Sequence, residues 1–468
     1  MLQYCSDDPR SLLSAARAHS RLHQAAVLAL SRITAVINQP KADSVVLYLA
    51  KYGPRIDSIS LEHTGCDSDS NPSVTLHQLP QNLLKLSSLT FRGLHLQLHQ
   101  NSGCQGVLGA GPPLKQLVLD GCLLLDGEKG LEKALQTLPD LQLLSIRGLK
   151  DEHGEPVGFS FSALQEMLQL THLQLSGCAV CNDHPNLQHV SHLQDLRLAL
   201  RGRCYFVDNM VSGLQRLTRL EIHGTAGTFG LKPDILLGQT QLQHLALRHL
   251  RVDFAGPGVH QLLSHLQEMQ QLTYLDFRAR PLHRFFTLQA SAPPEAYSAL
   301  TASSKLQYLD ISGCKVPAGV WEHMFPAGRQ LPHLRVLGLG LFKPCYSNPV
   351  PAPESSRLVS CCPGLQTLDI EHLQYSSELL APLTGLSSLQ QLSLAPWDES
   401  TEGLKVLRQL TGLRQLKVMD PSEAEGLLLQ LTQLQELTSL TYRGAQQSHQ
   451  LRCEVSPTER LLTRQSRS

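Results

Sequence analysis

A single short pattern governs this chain. Leu-x-x-Leu-x-Leu, with Ile, Phe, Val or Tyr closing some copies, starts at Leu86, Leu114, Leu141, Leu170, Leu193, Leu217, Leu242, Leu272, Leu306, Leu334, Leu365, Leu389, Leu413 and Leu437. Successive starts lie from 23 residues apart (Leu170 to Leu193) to 34 apart (Leu272 to Leu306). A weaker copy, Ile56-Asp57-Ser58-Ile59-Ser60-Leu61, precedes them. The fullest copy is Leu306-Gln307-Tyr308-Leu309-Asp310-Ile311-Ser312-Gly313-Cys314. A short strand here would turn Leu309 and Ile311 to one face and Tyr308, Asp310 and Ser312 to the other. Gly313 permits a sharp turn, and Cys314 is small enough to be buried beneath it. One such unit cannot bury its own leucines; it needs a copy stacked on either side.

That stretch, L-x-x-L-x-L-x-x-C, resembles the strand-and-turn core of a leucine-rich repeat, whose period is roughly 20–29 residues. The resemblance implies an α/β fold: a leucine-rich-repeat solenoid, a curved horseshoe with a parallel β-sheet on its concave face and short helices and loops on its convex face. The expected organisation is an N-terminal helical cap over residues 1–52, a repeat domain over 53–444 and a polar tail over 445–468.

Composition narrows the classes of partner. The formal net charge is +0, from 40 Lys+Arg against 40 Asp+Glu, which gives no general reason to expect nucleic acid or an anionic membrane. No apolar run approaches the roughly 18 residues needed to span a bilayer. The first residues, Met1 to Asp8, show neither a basic nor an apolar leader region. The 12 cysteines are therefore expected to be reduced thiols of a cytoplasmic or nuclear protein. Cys122, Cys178 and Cys314 occupy the cysteine place of the repeat itself.

The chain begins differently. Pro9 to about Asn38 carries Leu12, Leu13, Ala16, Leu22, Ala25, Ala26, Leu30 and Ile33 at helical spacing, with Asp8 and Pro9 as a helix start and Asn38-Gln39-Pro40 as its end. A second amphipathic segment runs from Val45 to Gly53. Pro9-Arg10-Ser11-Leu12-Leu13, Ala16 and then Ala18 to Ala26 resemble the second half of an F-box, over about residues 7–27. Ala18, His19, Ser20 and Leu22 stand where that family usually has Val, Cys, Arg and Trp, and its opening Leu-Pro-x-Glu-Leu-Leu helix has no counterpart. The resemblance implies an SCF adaptor as partner of these helices, which the departures weaken. The plain alternative is a cap that shields the first repeat's leucines.

Between the copies, Glu128 to Leu138, Ser162 to Leu170 and Val259 to Gln271 have helical periodicity. Two excursions interrupt the array. Ala279 to Lys305 includes Phe285-Phe286 and Pro293-Pro294. Phe342 to Gly364 carries Pro344, Pro349, Pro351, Pro353 and Pro363, a density expected to exclude regular helix. The polar tail after Gly444 is expected to be flexible, or in part to cover the last strand.

Signals for chemistry are weak. Cys178-Ala179-Val180-Cys181 is a lone C-x-x-C without the second pair a zinc site needs. Nothing beside Cys361-Cys362 would activate a thiolate. Asp151-Glu152-His153-Gly154-Glu155 reads as a solvated turn, and Gly106 to Gly111 lacks a P-loop lysine. The sequence has no G-x-S-x-G and no H-E-x-x-H. No catalytic residue, metal or cofactor is expected, and the chain does not read as an enzyme.

What remains is a surface. Stacked copies would align residues of like position into rows: His244, Tyr274 and Tyr308; Ala246, Asp276 and Asp310; Arg248, Arg278 and Ser312. Arg219, Glu221 and His223 extend the same field. Asp276 and Arg278, roughly 7 Å apart along a strand, are too far apart for a tight hydrogen-bonded pair unless their side chains lean together, so both rows are expected to keep free hydrogen-bonding capacity. A protein partner is accordingly expected on His223, His244, Arg248, Tyr274, Asp276, Arg278, Tyr308 and Asp310, because tyrosine and arginine are enriched at interfaces. The bland alternative is that such residues simply suit an exposed strand face. Two functions fit: a substrate receptor of a cullin–RING ubiquitin ligase, implied by the F-box resemblance, or a non-ligase scaffold of cytoskeletal or signalling type.

Overall fold

The structure, a computed structural model, describes residues 31–63, 74–99, 107–108, 113–180, 187–201, 211, 213–224, 233–249, 258–278, 292–314, 316–317, 319–340, 355–371, 380–395, 406–419, 434, 436–443, 448–455 and 460–466. The chain divides into two compact units, Met1–Leu217 with Gly224–Thr228, and Thr218–His223 with Phe229–Ser468.

In the first unit the strands are β1 (Arg32–Val36), β2 (Ser58–Glu62), β3 (Thr75–Leu76), β4 (Ser88–Arg92), β5 (His95–Leu96), β6 (Gln116–Asp120), β7 (Leu123–Leu124), β8 (Leu143–Arg147), β9 (Lys150–Asp151), β10 (Gly158–Phe159), β11 (His172–Val180) and β12 (Asp195–Arg201). β1, β2, β4, β6, β8, β11 and β12 pair in parallel in that order. β3, β5, β7 and β9 form a second, narrow parallel ladder.

In the second unit, β13 (Arg219–His223), β14 (His244–Arg248), β15 (Tyr274–Asp276), β16 (Tyr308–Asp310), β17 (Val336–Gly338), β18 (Thr367–Glu371), β19 (Gln391–Ala395), β20 (Gln415–Met419) and β21 (Ser439–Arg443) pair in parallel, each with the next. The repeat sets the register. Leu220, Leu245, Leu275, Leu309, Leu337, Leu368, Leu392, Leu416 and Leu440 stand opposite one another and are all buried. A slip of one residue would turn this whole ladder to solvent, so the leucines fix the pairing.

Parallel neighbours need a crossover between them. Several crossovers carry helix or 3-10 turns, including Gly127–Gln136, Phe161–Leu164, Pro233–Leu236, Gly258–Glu268, Pro294–Thr301, Val320–Met324 and Ala381–Gly385. The helix Gly258–Glu268 buries Val259, Leu262, Leu263 and Leu266, and Met269 just past its end is buried as well. Gly313 has φ 81°, the left-handed turn its place required, and Cys314 beneath it donates its thiol to the Phe277 carbonyl at 3.1 Å. Cys122 and Cys178 are buried in the same role.

Three expectations are corrected. Arg32–Val36, including Ile33, is not helix but strand, paired with β2 from Arg32↔Ser58 to Val36↔Glu62. The open edge of β2 offers unpaired backbone groups, and taking them up outweighs the weak helical preference of β-branched Ile33, Thr34 and Val36. The helix that follows runs Gln39–Tyr52, so Pro40 opens a helix, where its missing N–H costs nothing. The proline-rich excursion also contains a helix, Ser355–Cys361, set between Pro353 and Pro363. The tail is not without structure: β22 (Ser448–Val455) pairs antiparallel with β21 and β23 (Arg460–Ser466) with β22, so its backbone does cover the last repeat strand. The F-box-like stretch at 7–27 and Cys181 lie outside the described residues.

Candidate functional site

All eight residues singled out from the sequence fall in the second unit, on or just after β13–β16. The pairing aligns Arg219, His244, Tyr274 and Tyr308 in one row, and Glu221, Ala246, Asp276, Asp310 and Gly338 in another. In-register parallel strands lie about 4.8 Å apart, which suits ring stacking. His244 stacks on Tyr274 with ring centroids 3.9 Å apart and planes 8° from parallel. Tyr274 stacks on Tyr308 at 4.1 Å and 12°.

The side chains of the charged rows lean together and interlock. Asp276 is wholly buried, and its carboxylate accepts from Arg248 Nε at 2.6 Å, from Arg278 Nη2 at 2.8 Å and from the Tyr274 hydroxyl at 3.2 Å. The Arg278 backbone N–H donates to its other oxygen at 3.1 Å. Arg248 also donates to the Tyr274 hydroxyl at 2.7 Å, and Arg278 Nε lies 3.4 Å from Asp310 Oδ2. Asp310, likewise buried, accepts from the Tyr308 hydroxyl at 3.1 Å and from the Ser312 backbone at 2.9 Å. The side chains meet because β15 ends at Asp276: Arg278 lies past the strand, where its long side chain folds back over the carboxylate, and the acidic row loses the free capacity expected of it. Free capacity therefore belongs to the guanidinium ends and not to the carboxylates.

Electrostatics follow the geometry. Burial opposes ionisation of Asp276, but hydrogen bonds from Arg278 and the charges of Arg278 and Arg248 outweigh it and hold its pKa below the usual value. Its hydrogen bond to Asp276 raises the pKa of Arg278 against the pull of burial. Burial, then the neighbouring carboxylates, pushes the Tyr308 hydroxyl up, and burial first does the same for Tyr274. A second ion-pair group adjoins. Arg219 donates to Glu221, and His244 Nε2 lies 3.0 Å from the same carboxylate oxygen. Burial again opposes the charge, yet hydrogen bonds from His244 and Arg219 hold Glu221 at about 2. His223 stands opposite Arg248 across the strands, its ring 4.9 Å from that of His249.

One contributor went unnoticed in the sequence. Gly338 faces Asp310 across the strands, and a Cβ there would come within 2.5 Å of Asp310 Oδ1. The signal was present as a glycine in the fifth place of Leu334-Arg335-Val336-Leu337-Gly338-Leu339. Ala246 on the other side leaves similar room beside Asp276, so the carboxylates lie down between small residues. Elsewhere in these two rows of the second unit stand Val336, Thr367, Asp369, Gln391, Ser393, Gln415, Lys417, Ser439 and Thr441, so the stacked rings are concentrated on β14–β16. Among the described residues, no group of three or more His, Cys, Asp or Glu is placed to hold a metal ion, and no helix is long and apolar enough to cross a membrane.

No protein-family model matches the chain, and no curated protein does. Solved structures do. A leucine-rich-repeat protein of Leptospira interrogans aligns over 86% of this chain and 99% of its own, at 16% identity and a TM-score of 0.50. The fold is a leucine-rich-repeat fold. The plant peptide hormone receptor RGFR1, solved with RGF2, aligns over 83% of this chain and 63% of its own, at 18% identity and a TM-score of 0.46.

Proposed function

We propose that this leucine-rich-repeat protein is a protein-interaction module that holds a partner on the outward, concave side of its sheet, across β13–β16. The observation that carries the reading is the stacked row of His244, Tyr274 and Tyr308, flanked by Arg248 and Arg278, which gives way along the same row to Val336, Thr367, Gln391, Gln415 and Ser439. Rigid aromatic side chains and arginine are the residue types on which interface energy concentrates. Tyr308→Ala and Arg278→Ala are each expected to release a partner captured by proximity labelling, and Gln391→Ala to retain it. Retention by every variant would return the face to a merely well-packed surface.

The finer reading is a substrate receptor of a cullin–RING ubiquitin ligase, with the N-terminal helices on an SCF adaptor. It is supported by the F-box resemblance of Pro9 to Ala26. A non-ligase scaffold is the second reading, supported by Ala18, His19, Ser20 and Leu22 at places where that family differs. Adaptor pull-down with the intact chain separates them: stoichiometric capture supports the receptor, and none supports the scaffold.

A further inference from the structure

The cluster on β13–β16 is balanced in formal charge but not in exposure. Its cationic side chains reach outwards: they are 40% exposed at Arg278, 34% at Arg219 and 26% at Arg248. The counter-charges lie beneath, 0% exposed at Asp276, 11% at Asp310 and 21% at Glu221. Arg278 and Arg248 turn Nε and Nη2 inward, and their Nη1 groups meet no acceptor among the described residues. Stacking adds to this polarity. Tyr274, covered on both faces by His244 and Tyr308, can offer only its edge and hydroxyl, and the edge is the positive side of an aromatic ring.

We propose that the partner segment is acidic: a stretch of polypeptide rich in Asp and Glu, whose carboxylates accept from the outward N–H groups of Arg248 and Arg278. This rests on the interaction reading above and specifies its chemistry. To reach Asp276, a basic segment would have to pull Arg248 or Arg278 off it, leaving charges buried without partners. A nucleic acid calls for a longer track of cations than the same two rows supply on β18–β21, where Thr367, Asp369, Gln391, Ser393, Gln415, Lys417, Ser439 and Thr441 stand.

Fluorescence anisotropy on the full chain tests the proposal with three short labelled probes: a peptide of alternating Glu and Asp, the matching Lys peptide, and single-stranded DNA. The acidic peptide is expected to bind more tightly than either of the others, and less tightly as NaCl rises. Arg248→Gln with Arg278→Gln should weaken it about tenfold, the loss expected for one or two charge-assisted hydrogen bonds. That pair strands the Asp276 carboxylate, so the triple variant adding Asp276→Asn, which leaves no buried unpaired charge, should show the same loss. Gln391→Ala should bind as the parent does. Tighter binding of the Lys peptide or of DNA, acidic binding that survives both variants, or no binding of any probe would each overturn the acidic preference. If acidic binding fails while Tyr308→Ala still releases a captured partner, the interaction reading stands and only its charge assignment falls.

Discussion

Asp276→Asn tests whether the outward network is structural. The change keeps the shape of the side chain and removes its charge. In the parent, the carboxylate, wholly buried, accepts from Arg248, Arg278, the Tyr274 hydroxyl and the Arg278 backbone. An amide has one oxygen, so either its NH2 faces donors or some donors go without an acceptor. One buried group left so costs about 1–3 kcal/mol. Removing one partner of a fully buried ion pair costs about 3–5 kcal/mol. Here Arg248 and Arg278 are partly exposed and recover water, which lowers that figure. The expected cost is about 2–4 kcal/mol. Long repeat arrays need not unfold in one step, so a single urea midpoint would mix local with global events. Hydrogen exchange read by mass spectrometry on peptides covering β14–β16 is the better assay. There, 2–4 kcal/mol appears as roughly 30- to 700-fold faster exchange of amides that open locally. Ser393→Ala, half-buried on β19, should leave those peptides unchanged. Exchange in Asp276→Asn within about threefold of the parent, under 1 kcal/mol, would refute the reasoning.

Leu309→Ala should destabilise by about 2–5 kcal/mol in the same exchange assay, since the side chain is wholly buried in the leucine ladder; no change would contradict the register. Gly338→Ala should cost about 1–3 kcal/mol, because its Cβ would press on Asp310 Oδ1 at 2.5 Å, and Asp310→Ala should relieve part of that cost in the double variant. Glu221, ordinarily near 4.5 and held at about 2, contributes stability that is fully present above its unfolded value and lost as pH falls from about 4.5 through 2. Melting curves recorded across that window should fall more steeply for the parent than for Glu221→Gln; parallel curves would count against the pairing. Cys122, Cys178, Cys314, Cys361 and Cys362 are buried, and burial raises the thiol pKa to about 11 at Cys122 and about 12 at Cys362. Peptides bearing these five should resist iodoacetamide until denaturant is added, and rapid labelling of any one in the folded protein would show its site to be open.

The sequence by itself determined the repeat strands, their order and their facing. Leu309 opposite Leu275 and Leu337, Tyr308 beside Tyr274, and Asp310 beside Asp276 all follow from a period of two within a strand and a repeat that returns every strand in phase. It also placed Gly313 and Cys314 correctly, because a sharp turn over a small buried residue has few solutions. Tertiary structure decided the rest. Ile33 became strand because β2 had an edge to pair, a long-range demand that helical spacing could not register. Ser355–Cys361 became helix because prolines act only on their own turn, and the gap between Pro353 and Pro363 is wide enough for one. The fate of the charges was decided latest of all. Backbone spacing left Asp276 and Arg278 unable to pair tightly unless their side chains leaned together, and the strand stops at Asp276, where a flexible guanidinium closes the gap. Where a long side chain goes depends on where the backbone bends and on what its neighbours leave empty, and only the assembled fold contains both.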